Sequence, residues 1–80
     1  MRAIFEQIAK ERKRQDEKWG VQNHHSEKWF TILGEETGEA CKASLERDWE
    51  GYRQELVESA AVIVAAIECF DRMKEGGTPQ

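Results

Sequence analysis

Apolar positions recur at three- and four-residue intervals along the whole chain, and no Val/Ile/Thr/Tyr run alternates with period two. That periodicity predicts an all-α protein. Met1, Ile4, Phe5 and Ile8 form a short apolar stripe, and the charged run 10–18 after it has nothing to bury. A first helix over 1–18 is therefore expected to dock by its N-terminal half and leave a charged extension in solvent. Gly20 and Asn23 mark a loop over 19–26. Ser26 followed by Glu27 reads as an N-cap with an acid in the first turn. A second helix is expected over 27–47, with the stripe Trp29, Leu33, Glu36, Ala40 and Ala43. Residues 48–51 form a short connection with Asp48 as a cap, and a third helix over 52–74 is stopped by Gly76, Gly77 and Pro79.

The centre of the third helix, Leu56 to Ile67, is apolar at ten of its twelve positions. A helix apolar on every side must be buried on every side, and two short helices can hardly enclose it. The expected architecture is a three-helix protomer pairing into a four-helix-bundle-like homodimer core, with a tetramer of two dimers as an open alternative. Trp29 is expected in the core or the dimer interface. Gly34 and Gly38, one turn apart, are read as a site of tight helix packing, with close approach of a ligand as the second reading.

With 80 residues the chain is a single domain, 1–80, whose solo core is marginal. It carries 35% charged residues and no stretch of the ~18 to 20 apolar residues that a bilayer span needs, which excludes a membrane protein. A net charge of −4 argues against a nucleic-acid binder. Cys41 and Cys69 read as free thiols in a reducing cytoplasm.

The carboxylates carry the chemistry. Glu36 and Glu39 stand three apart on the second helix, and Glu55 and Glu58 three apart on the third, so each pair shares one helical face. With 13 glutamates, about two such pairs arise by chance, and spacing alone decides nothing. Context does. Glu58 lies inside the apolar block and Glu36 on the apolar stripe, where an ionised, unpaired carboxylate costs several kcal/mol. A basic partner, protonation or a bound cation would relieve that cost, and the nearest basic candidate is Arg53. All-oxygen ligation suits Mg²⁺ or Mn²⁺. Iron is disfavoured, because neither histidine follows a glutamate by three.

The run Gly34-Glu35-Glu36-Thr37-Gly38-Glu39-Ala40, followed after a 15-residue gap by Glu55-Leu56-Val57-Glu58 and an alanine- and valine-rich helix, resembles the MazG-like all-α nucleoside triphosphate pyrophosphohydrolases. Residues 14–24, RQDEKWGVQNH, look like the N-terminal region of compact phage- or prophage-type members, and the resemblance spans about residues 11–68. It implies Mg²⁺-dependent hydrolysis of a (d)NTP to the monophosphate and pyrophosphate, with metal at Glu36, Glu39, Glu55 and Glu58. Glu35 and Glu36 are the candidates for catalysis, with Glu35 adjacent to take a proton from water. Two departures stand out: the family's closing aspartate is Glu58 here, and many members continue past the third helix into a helix with basic substrate-binding residues. A catalytically silent helical dimer that binds nucleotide or a protein partner is the alternative, and a structural homodimer with arginine-paired carboxylates a third reading. Lys18, Trp19, Asn23, His24 and Arg53 are candidate substrate contacts, Trp19 reading equally well as a cap on the core. The basic excess in 10–18 is read first as a solvated face, then as an arm that meets phosphates.

Overall fold

Three helices form where the periodicity places them, α1 (Arg2–Trp19), α2 (Ser26–Leu45) and α3 (Trp49–Gly76). The structure, a computed structural model, describes residues 1–76, with side chains to residue 73. The stop expected at Gly77 and Pro79 lies outside the described residues. Among those described, no helix is long and apolar enough to cross a membrane.

The helix ends are set by local hydrogen bonding. Gly20 ends α1 with φ 74°, a value that favours glycine, and its N–H donates to the Asp16 carbonyl at 2.8 Å. Ser26 does not cap α2. It is the first helical residue, and His25, in an extended conformation, holds the cap position without a side-chain bond. α2 closes two residues earlier than the pattern implies: the Asp48 N–H donates to the Ala43 carbonyl at 2.9 Å and the Arg47 N–H to the Ser44 carbonyl at 3.1 Å. This is a Schellman closure, and Arg47 takes its left-handed position at φ 58°. Asp48 then caps α3, its Oδ1 accepting the Gly51 N–H at 3.0 Å, so α3 starts at Trp49 rather than residue 52.

α3 lies between the other two helices, and among the described residues α1 and α2 make no helix–helix contact. The core runs along the antiparallel α2–α3 pair: Trp29, Val62, Ala65 and Cys69, joined by Ile32, Leu33, Ala66 and Met73. Trp29 is thus a core residue. The apolar circumference of α3 splits in two. Val57, Ala61, Val62, Ala65 and Cys69 are buried, while Leu56, Ile63, Ile67 and Phe70 make an exposed stripe at helical spacing. The chain extends 44 × 26 × 23 Å with a radius of gyration of 13.6 Å, above the roughly 12 Å of a compact chain this long.

Two further expectations are corrected. α1 does not dock by its apolar end, where Met1, Ile4 and Phe5 are exposed. It docks by its charged half: Glu11 is buried, and Arg12, 13% exposed, donates to Glu68 of α3 through Nη2 at 2.7 Å and Nε at 2.9 Å. The tight packing read into Gly34 and Gly38 is not made within this chain either, since a Cβ added at either would meet open space.

An L-residue in the left-handed region is strained by about 1–2 kcal/mol, and glycine returns part of that to unfolded-state entropy. Arg47→Gly should therefore stabilise the fold by about 0.5–1 kcal/mol, a rise of roughly 3–6 °C in thermal melting. A lowered Tm would mean that the Arg47 side chain contributes more than its backbone costs.

Candidate metal centre and adjoining cleft

The three-residue turn 46–48 fixes which carboxylates meet. Counted from Arg47, Glu39 and Glu55 are each eight residues away, and Glu36 and Glu58 each eleven. In an antiparallel helical hairpin, residues equidistant from the turn lie at the same level. Oxygens of Glu36, Glu39 and Glu55 accordingly lie within 4.8 Å of one another, and this cluster could hold a metal ion. Glu58, expected as the fourth member, lies outside that group. Its Oε1 faces Arg14 Nη2 at 3.6 Å.

Within the cluster, Glu36 Oε2 and Glu55 Oε2 are buried and have no hydrogen-bond partner. Buried polar atoms are normally satisfied, so two orphaned carboxylate oxygens in one cluster mark a place for a donor or a cation. Burial, then the charge of Glu58 and the proximity of Glu39 and Glu36, push the Glu55 carboxyl up to about 8. Burial, then the charges of Glu58 and Glu39, also raise Glu36. Without a cation, the cluster answers crowding by keeping a proton. Hard, anionic, all-oxygen donors fit a hard divalent ion, and no nitrogen or sulfur ligand stands among them.

Beside the cluster opens a cleft of about 360 Å³ between α1, the 20–25 loop and the α2–α3 pair. Glu35, Glu36 and Glu58 line it on one side, Arg12 and Arg14 line it together with their paired acids Asp16 and Glu11, Lys28 adds a further cation, and Trp19 and His24 supply rings. His24 meets Trp29 edge-on at 5.0 Å between centroids and places Nε2 2.6 Å from Gln22 Oε1. Both His24 and Trp29 also line a second, apolar cavity of about 430 Å³ along the exposed stripe of α3.

Of the expected substrate contacts, Trp19 and His24 line the cleft and the other three do not. The Lys18 ammonium sits 4.5 Å over the Trp19 ring. Asn23 Oδ1 accepts from Arg72 Nε at 3.1 Å and Nη2 at 2.9 Å, a clasp that ties the loop to α3. Arg53 donates to Gln7 at 2.7 Å instead of serving the carboxylates. The basic partner of the site is Arg14, from the run read as a solvated face. It donates to both oxygens of buried Glu11, which holds that carboxyl below its ordinary range. Glu11, Arg14 and Gln15 stand at i, i+3 and i+4, and that spacing is the sequence signal for this inward polar face. No protein-family model, curated protein or solved structure matches the chain.

A pH dependence follows. The folded chain keeps a proton on Glu55 that the unfolded chain releases above about 4.5, so this stabilisation is complete below that pH and is lost as pH rises through about 8. In chelator, the Tm should fall across that window. Glu55→Gln should flatten the slope, and a wild-type Tm that holds level or climbs would refute the crowding.

Proposed function

We propose that the chain is a Mg²⁺-dependent nucleoside triphosphate pyrophosphohydrolase of the MazG-like kind, hydrolysing a (d)NTP to the monophosphate and pyrophosphate. The observation that carries this reading is the pair of orphaned oxygens on Glu36 and Glu55, with Glu36 lining a cleft that Arg12, Arg14 and Lys28 also line. A polyanion is repelled by a bare carboxylate cluster and attracted by Arg12, Arg14 and Lys28, so the two linings make sense together once a cation neutralises the cluster.

Glu36, Glu39 and Glu55 would hold Mg²⁺, or Mn²⁺, with Glu58 available beside them. The ion would supply charge neutralisation and a more acidic water. The side chains do the rest. Arg12, Arg14 and Lys28 bind and orient the phosphates. Glu35, exposed on the cleft wall, accepts the proton of the water that attacks the α-phosphorus, and the bond to the bridging oxygen breaks to release pyrophosphate. Trp19 and His24 offer rings to the base.

The same reading includes a homodimer formed through the exposed stripe of α3 and the neighbouring face of α2, with a tetramer as its further assembly. Phe30 is 73% exposed and Ile67 55%, a large apolar surface for a monomer of 80 residues. A second copy covering it would complete the four-helix core. Sedimentation should give a dimer that Ile67→Lys converts to monomer. A monomeric wild type would remove the dimer from the proposal.

A second reading is favoured by the engagement of Glu58 with Arg14: a catalytically silent dimer that binds nucleotide. Purified protein incubated with a panel of NTPs and dNTPs plus Mg²⁺ separates the two. Pyrophosphate release that falls at least about a hundredfold in Glu39→Gln and Glu55→Gln is the outcome expected of the enzyme. Nucleotide that raises the Tm without turnover selects the silent module, and release unaffected by either variant excludes this metal centre.

A further inference from the structure

We propose that Arg14 is an internal counter-ion that keeps the place of a divalent cation beside Glu58, and that cation binding draws Glu58 away from it. The inference rests on the metal centre proposed above. Among the described residues, Arg14 is the one basic side chain within 4.0 Å of any of Glu36, Glu39, Glu55 and Glu58.

Its two attachments differ in kind. Nε lies 2.9 Å from Glu11 Oε1 and Nη2 2.7 Å from Glu11 Oε2, a bidentate pair on a carboxylate only 6% exposed. The same Nη2 stands 3.6 Å from Glu58 Oε1, too far for a hydrogen bond, so this second link is Coulombic and screened on its open side. Glu11 is thus the fixed pivot and Glu58 the exchangeable contact. Glu58 lies level with Glu36 along the hairpin, yet its carboxylate stands outside the group of three converging oxygens and 3.6 Å from the guanidinium.

A divalent ion carries twice the charge of a guanidinium and competes for the same carboxylate lone pairs. Once Glu58 turns to the ion, Arg14 remains tethered to Glu11 on the wall of the cleft with part of its fork free. A planar, permanently charged fork is suited to phosphate oxygens. Metal loading therefore arms the phosphate-binding wall, and the coupling runs equally in reverse, bound phosphate tightening the metal.

Calorimetric titration of Mn²⁺ into the metal-free full chain tests this in wild type, Arg14→Gln and Arg14→Lys, with circular dichroism confirming helical content. Removing the competitor should tighten Mn²⁺ roughly five-fold in Arg14→Gln. Arg14→Lys, which keeps a charge for Glu11 without the fork, should fall between and serves as the readout if Arg14→Gln does not fold. Wild type that binds Mn²⁺ while the folded variants bind it equally or more weakly overturns the counter-ion role and leaves the metal centre standing. Wild type that binds no Mn²⁺ overturns both.

Discussion

Carboxylates forced together across a helical hairpin are the constraint around which this molecule is arranged. The α2–α3 pair buries an apolar seam, and the register that aligns Trp29 with Ala65 and Cys69 at one end brings Glu36, Glu39 and Glu55 together at the other. Packing and electrostatics oppose each other there. Core formation drives the helices together, while the charges resist, and the crowding pushes the Glu55 carboxyl up to about 8. A local violation of the rule that buried charge is paired is the usual sign of a site under functional demand.

The rest of the fold responds to that negative centre. α1 contributes almost no apolar burial, yet it lies against α3 because Arg12 reaches Glu68 and Arg14 reaches Glu58. Its arginines, each paired with an acid of the same helix, line one wall of the cleft, and Glu35, Glu36 and Glu58 of the hairpin line the other. The 20–25 loop that closes the end is held by Arg72, which donates to the Gln22 carbonyl at 3.0 Å as well as to Asn23.

The helices and the meeting of Glu36, Glu39 and Glu55, though not of Glu58, were legible in the sequence because both follow from spacing. Period 3.6 fixes the faces, and a short turn fixes the register. The docking of α1 was not legible, since a pattern of apolar positions weighs only the hydrophobic effect, and α1 is held by paired charges whose partners lie far along the chain, Arg12 with Glu68 being the clearest case. For the same reason proximity along the sequence points to Arg53 as the basic partner and passes over Arg14. The start of α3 was placed late because Gly51 reads as a breaker, whereas here it gives the Asp48 carboxylate room to close the first turn. Gly34 and Gly38 read as packing positions on spacing alone, and nothing in a single chain approaches them.

An arm held by ionic contacts and little apolar burial stands at the low end of local stability. The hairpin, closed by contacts between near neighbours in the chain, is suited to form first, and α1 to join it last and leave it first. Amide exchange along α1 would then outpace that of the buried stripe of α3, and would quicken as ionic strength rises. One wall of the cleft is in that sense a hinged panel, fastened by the ion pairs along its inner face.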